Sequence, residues 1–544
     1  MSEPVPDGRE RPQLRVLRPA TATRAAGGEP PSPTLYLSDR LLVSGFPSRD
    51  REPWLDELGT ALDTLGVTYR LTAKSRRRID KLRGTRSPEA RKLLDEIWVS
   101  SVVIESRDLL ASPPDAWDVL QRLRREAPAV AERLSLEHVV RPAGIWDGIG
   151  IWDGIGIWDG IGIWDGIGIW DGIGAKAIAE YARPGRGGRM PVSVAMPDPA
   201  DRARPLERRP VIAVPDTAVA EHEWFPLDSA PGQRRGARRS SAADARPKLL
   251  RLAVSEGELV DPATVPGAPS AIGEVEPLTG SRGRLEGHGT FIAGLLRQGC
   301  PEATILSVPV LGSDGSAEES DLLAALSALL ARHVAGQDEG RPEDVIDVLS
   351  LSVGYYAEDS SYLSGPVARI LSQFSNRGVL VVAGVGNDAS DRPFVPAALA
   401  AEVPGTVRAS SRPPLSSVAA LNPDGRSIAL FSNAPVIVSA YRPGVSLVST
   451  LPPVDGAGQS SVVVAPQAGP SDGSGDEELR RTTVDPDSYL GGFGVWSGTS
   501  FATPILAAEL ASELAQAADL ADVSEAAMRK RAVRTLRTCL GRKA

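Results

Sequence analysis

From about Arg209 onward the chain alternates short, wholly apolar runs with helix-length stretches, and no other feature restricts its fold as tightly. Pro210–Pro215, Ala303–Val310, Val345–Ser352, Gly378–Val385, Thr406–Ala420 and Ile437–Ser439 read as strands. Asp321–Arg332, Gly365–Asn376 and Ser500–Ala518 read as helices. Strands that are apolar at every position, instead of every second one, have both faces covered. Alternated with helices, they predict a parallel sheet between two helical layers, a three-layer α/β architecture. In such sheets, functional groups collect outside the carboxyl ends of the strands.

Four polar residues stand at such places. Asp216 ends the run Val211–Pro215, where a carboxylate can face a crevice. His288 lies in Glu286-Gly287-His288-Gly289-Thr290 at the head of an apolar helix, and its flanking glycines permit close backbone approach. Asn387 follows the run ending at Val385, in Gly384-Val385-Gly386-Asn387. Ser500 opens an Ala-rich helix in Gly498-Thr499-Ser500-Phe501-Ala502-Thr503-Pro504, where unpaired backbone N–H groups favour developing negative charge. Each has a plainer use taken alone: turn Asp, capping His, turn Asn, N-cap Ser.

Taken together, these segments resemble the motifs of the subtilase family of serine peptidases. The Ser500 segment is similar to Gly-Thr-Ser-Met-Ala-x-Pro with Phe501 in place of Met, and the His288 segment to His-Gly-Thr-x-Val-Ala-Gly. Asp216-Thr217-Ala218 resembles Asp-Ser/Thr-Gly, with Ala218 a departure, and Gly386-Asn387 resembles the end of Ala-Ala-Gly-Asn. The chain order Asp, His, Ser is that of subtilisin. Ile305–Gly315, Ser352-Val353-Gly354, Phe431-Ser432-Asn433 and Pro443-Gly444-Val445 extend the resemblance, which covers roughly residues 205–520. It implies a serine endopeptidase acting on polypeptides, with Asp216, His288 and Ser500 as triad and Asn387 as oxyanion donor beside the Ser500 N–H. It also implies that Ser352, Val353 and Gly354 form the edge that pairs with extended substrate, and that Gly384 and Gly386 line the pocket for the residue before the scissile bond. Subtilases often hold structural calcium, but the sequence has no ligand cluster that names a site, and no other cofactor is expected. The alternative is a catalytically silent binding or regulatory protein on the same fold.

The rest of the chain divides by composition. Residues 1–33, rich in Pro, Arg and Gly, are expected to be a disordered tail. Residues 34–143 form an expected α+β module: strands at Leu35–Gly45, Val67–Thr72, Ile97–Glu105 and Leu136–Arg141, and helices at Trp54–Gly66 and from Pro114 to Arg125. The basic segment 74–95 reads as either helical or looped. The order is β-α-β-β-α-β, the ferredoxin-like split motif. Subtilase pro-regions are commonly of that kind, so the module is expected to be an intramolecular inhibitor, with an independent adaptor domain as the alternative. Residues 144–204 read as a linker. It contains five perfect copies of Ile-Trp-Asp-Gly-Ile-Gly at 145–174, too few residues to fill two coils of a β-helix. Residues 205–544 form the expected peptidase domain, with an acidic Gly/Ser-rich insertion between Pro452 and Ser488.

Composition narrows the class further. A net charge of −9 argues against a general nucleic-acid binder, which needs a basic surface. Two cysteines, Cys300 and Cys539, make no disulfide framework. The first thirty residues lack an apolar signal-type core, and Gly378–Val385 falls well short of the roughly 20 residues that span a bilayer. The expectation is a cytoplasmic protein with no membrane segment.

Overall fold

The computed structural model describes residues 12–24, 30–45, 53–82, 87–108, 110, 112–142, 181, 188–227, 247–273, 282–283, 285–312, 314–400, 413–454, 462–464, 480–482 and 488–541. The hexapeptide repeats, the linker residues 143–144, 175–180 and 182–187 beside them, and much of the 452–488 insertion lie outside the described residues.

The N-terminal part is built from β1 (Leu14–Leu17), β2 (Thr34–Ser44), α1 (Pro53–Thr64), β3 (Val67–Leu71), α2 (Ala73–Leu82), α3 (Pro88–Ile97), β4 (Val99–Ser106), α4 (Ala116–Glu126) and β5 (Leu134–Pro142). Its sheet runs β5-β2-β4-β3 and is antiparallel throughout. Asp115 caps α4 by accepting from the Trp117 and Asp118 amides, which turns Trp117, Leu120 and Leu123 onto the sheet. The basic segment 74–95 becomes two helices. The second starts at the Ser87 cap and Pro88, and buries Ala90, Leu93, Leu94 and Ile97. Part of the expected tail is structured: β1 pairs with β2. Leu17 is buried there, and the Trp117 indole, which needs an acceptor once buried, donates to the Thr23 carbonyl at 2.7 Å.

The C-terminal part continues with β6 (Val211–Asp216), β7 (Leu249–Arg251), α5 (His288–Gly299), β8 (Thr304–Pro309), β9 (Ala317–Glu318), α6 (Glu319–Asp338), β10 (Val348–Leu351), β11 (Val353–Tyr356), α7 (Pro366–Asn376), β12 (Leu380–Gly384), β13 (Phe394–Val395), β14 (Ser416–Leu421), β15 (Ala440–Pro443), β16 (Leu447–Thr450), β17 (Phe493–Trp496), α8 (Thr499–Leu514) and α9 (Glu525–Leu540). Seven strands form one parallel sheet in the order β15-β14-β12-β10-β6-β8-β7. Alternate residues feed opposite cores, the period of a pleated strand. Val211 and Ala213 pack with Leu322 and Leu326 of α6 and Phe374 of α7. Ile212 and Val214 pack with Phe291 and Leu296 of α5 and Leu506 and Leu510 of α8. The three layers are those expected.

One strand reading is corrected, and a second, Thr406–Ala420, lies outside the described residues over 406–412. Ile437–Ser439 is not a strand; the edge strand begins at Ala440. Side-chain hydroxyls interrupt the ladder there, Ser417 Oγ donating to the Ile437 carbonyl at 2.9 Å and Ser439 Oγ accepting from the Ser417 amide at 3.1 Å, beside one backbone bond from the Ser439 amide to the Ser417 carbonyl at 3.1 Å. Of Thr406–Ala420, only the end is strand among the described residues, at Ser416–Leu421.

One short junction joins the two sheets. β10 belongs to the parallel sheet, Ser352 intervenes, and β11 pairs antiparallel with β5 of the N-terminal part, Val353 opposite Pro142 and Gly354 opposite Arg141. Among the described residues no helix is long and apolar enough to cross a membrane.

Candidate active site

Strand β6 delivers Asp216 and helix α5 delivers His288 to one point. The imidazole Nδ1–H donates to Asp216 Oδ1 at 2.6 Å, and the Thr217 amide donates to the same oxygen at 2.7 Å. Both side chains are fully buried. This approach requires Gly289: its amide donates to Thr217 Oγ1 at 2.8 Å, and a Cβ there would stand 2.2 Å from the Thr217 carbonyl oxygen. Gly287, in the left-handed region at φ 84°, turns the chain into α5.

Ser500, in the first turn of α8, is also fully buried. Its hydroxyl donates to the Ser352 carbonyl at 3.3 Å, and the Ser352 hydroxyl donates to the Ser500 carbonyl at 2.8 Å. The structure thus ties Ser500 to the strand junction and forms no Ser500–His288 hydrogen bond. His288 Nε2 is buried with no hydrogen-bond partner among the described residues, and its ring lies against Phe501 and Trp496, 5.2 and 5.6 Å between centroids.

Asn387 meets the same helix turn. Its Oδ1 accepts from the Thr499 amide at 2.9 Å, while its Nδ2 is buried with no partner among the described residues. The amide is therefore oriented with two donor hydrogens unspent. Asn433 braces this turn, a role the sequence reading did not assign although it noted the residue. Its Oδ1 accepts from the amides of Asp388 and Ser390, and its Nδ2 donates to the Val385 carbonyl and the Tyr356 hydroxyl. A Cβ on Gly386, at φ 100°, would meet Asn433 Nδ2 at 2.4 Å, so only Gly fits.

The predicted binding positions fall in two groups. Ser352, Val353 and Gly354 lie together on the junction beside Ser500, and β5 occupies the edge formed by Val353 and Gly354. Gly384 is a ladder residue of the parallel sheet, opposite Val418, and Gly386 packs on Asn433.

The remaining histidines have different surroundings. Burial pushes His333 down to about 3, and as a neutral ring it accepts from the Ile346 amide. Burial also lowers His222, which lies 2.9 Å from the Gly492 carbonyl. His138 is clamped between two carboxylates, an arrangement sequence reasoning missed because its partners are 181 and 220 residues away. Burial raises the Cys300 thiol to about 12, which keeps it protonated and unreactive. Among the described residues no group of three or more His, Cys, Asp or Glu is arranged to hold a metal ion.

A three-layer parallel-sheet α/β protein with an Asp–His pair beside a helix-opening serine is the class that this fold and site define. The sequence model of the subtilase family matches residues 208–543, more than half of the chain, and the chain belongs to that family. The serine protease AprX of Bacillus subtilis (strain 168) is 24% identical over 245 residues, 44% of this chain and 48% of that protein. The chain thus spans about half the length of that curated relative. Among solved structures, a mutant of the protease domain of PatA is 18% identical with a TM-score of 0.32, covering 56% of this chain and 79% of that one. The prenylagaramide maturation protease PagA is 18% identical with a TM-score of 0.31, covering 59% and 81%.

Proposed function

We propose that the protein is a serine endopeptidase in which Ser500 attacks the peptide carbonyl, His288 takes the hydroxyl proton, Asp216 holds the imidazole, and Asn387 stabilises the oxyanion. The observation that carries this reading is the buried Asp216–His288 bond at 2.6 Å, which leaves Nε2 as the basic nitrogen in a dry site. Ser500 is held by the Ser352 carbonyl before substrate binds. An extended substrate on the edge supplies a backbone N–H to that carbonyl, which frees the hydroxyl to turn toward His288. The proton passes from Oγ to Nε2 as the Oγ–C bond forms, and the oxyanion is met by Asn387 Nδ2–H and the Ser500 N–H. The tetrahedral intermediate expels the amine, which takes the proton from His288. Water, deprotonated by the same nitrogen, then releases the acyl group.

Residues 34–142 fit a ferredoxin-like inhibitory pro-region. The reading is supported by their strand order, β5-β2-β4-β3, and by β5 lying antiparallel on the edge that a substrate would use. Chain continuity then makes residues 144–204, with the repeats, the tether to the peptidase domain.

A second reading, a catalytically silent binding protein, is favoured by the full burial of Ser500 and its missing bond to His288. A fluorophosphonate probe separates the two. The intact chain and a limited digest are each treated with the probe, and labelled peptides are mapped by mass spectrometry. The peptidase reading expects label on Ser500, abolished by Ser500→Ala, and cleavage of a peptide library. No label and no cleavage in either preparation would leave the binding protein.

A further inference from the structure

A second group of buried ionisable side chains sits where β5 meets the C-terminal part. His138 of β5 is buried, with Nδ1 2.6 Å from Glu319 Oε2 and Nε2 2.8 Å from Glu358 Oε2. The two glutamates are themselves buried, Glu319 opening α6 and Glu358 following β11. The Tyr355 ring stacks on the imidazole, 4.1 Å between centroids and 10° from parallel, and its hydroxyl donates to Glu319 Oε1 at 3.1 Å. The His138 amide donates to Glu319 Oε2 at 3.3 Å. An ionised carboxylate only accepts, so a ring bonded to carboxylates at both nitrogens is a donor at both, an imidazolium. A cation between them offsets the cost of burying two carboxylates side by side. All three clamping groups come from the subtilase part, and the cation comes from the N-terminal part.

We propose that Glu319, Glu358 and Tyr355 form a binding site for a cationic side chain, which secures an extended polypeptide on the Ser352–Gly354 edge. In cis the occupant is His138 of β5. In trans it is a substrate carrying Lys, Arg or protonated His four residues before the one that faces Val353. The inference rests on the reading of that edge as the substrate edge. Its spacing comes from the register: Pro142 faces Val353, Arg141 faces Gly354, Val140 faces Ala317 and Val139 faces Glu318, so one unbroken strand runs from clamp to edge. A flat ring beside paired carboxylates suits a planar or compact cation and rejects an anion. Charge around the clamp has the same polarity, with Arg40 on Glu318 at 3.0 Å, Lys74 on Asp321 at 2.8 Å and Arg124 on Asp359 at 2.7 Å. An acidic face of the subtilase part therefore meets cations of the N-terminal part.

Hydrogen–deuterium exchange along the paired segments 139–142 and 353–354, in the full chain, tests the site without relying on catalysis. Wild type and His138→Lys are expected to protect the edge equally. His138→Leu and His138→Glu are expected to exchange at least about tenfold faster, and Glu358→Lys added to His138→Glu to restore protection. On the His138→Glu chain, a free peptide of the β5 sequence 134–142 with Lys in place of His138 should restore protection at about a tenfold lower concentration than its Leu counterpart. Wild-type protection in His138→Leu, or Lys and Leu peptides of equal potency, overturns the proposal. Failure of Ser500 to label in variants whose edge has opened overturns the peptidase reading instead, and leaves the exchange result standing.

Discussion

At the scale of single residues, the pairing of Asp216 with His288 depends on an atom that is missing. Gly289→Ala places a methyl 2.2 Å from the Thr217 carbonyl, which must push α5 away from β6. Peptide hydrolysis is expected to fall by at least about tenfold, with a lowered Tm, because reacting groups displaced by about 1 Å lose far more than that. If Asn387 acts as proposed, Asn387→Ala should lower kcat by about 10²–10³ with KM little changed, the range that removal of one oxyanion donor costs in a subtilisin. Steady-state kinetics on one peptide checks both. Asp216, His288, Asn387 and Ser500 were legible in the sequence as polar residues at strand and helix ends, and their likeness to the subtilase motifs is what singled them out. The carboxylates on His138 and the Gly492 carbonyl beside His222 were not legible, since they lie 181 to 270 residues away in the chain.

At the scale of elements, the parallel sheet is pinned at its entry by a buried pair. Arg208 forks onto Asp347 at 3.0 and 2.8 Å, and Asp347 Oδ2 also accepts from the Val211 amide, tying β6 to β10. Arg208→Leu leaves that carboxylate buried without its cation, and should cost about 3–5 kcal/mol, read as a lower urea midpoint. Apolar runs announced the buried strands because hydration, more than any partner, drives them inside. The run Ile437–Ser439 misled for the same reason: its composition suits a strand, but the Ser417 hydroxyl takes the Ile437 carbonyl and the Ser439 hydroxyl takes the Ser417 amide. The segment 74–95 stayed ambiguous because the apolar face of α3 has a meaning only against α6.

At the scale of the whole molecule, the N-terminal part and the subtilase part share one antiparallel sheet, joined at the edge beside Ser500. Burial opposes the charge on His138, yet Glu358 and Glu319 hold its pKa up at about 10 against an ordinary 6.5. A raised pKa in the docked state means that docking is fully supported below about 6.5 and loses this support as pH climbs through about 10. Small-angle scattering should therefore show the radius of gyration growing above about pH 9 in wild type, while His138→Leu lacks that dependence. A wild-type radius that stays constant through about pH 11 would contradict it. The sequence alone determined the parallel three-layer sheet and set Asp216, His288, Asn387 and Ser500 at or just beyond strand and helix ends, because strand burial and helix starts are local signals. Only the tertiary structure decided what lies on the Val353–Gly354 edge, where Ser500 donates its proton at rest, and which histidine carries charge. Those outcomes depend on Coulomb and hydrogen-bond partners 148 to 220 residues apart, and no local pattern encodes such distances.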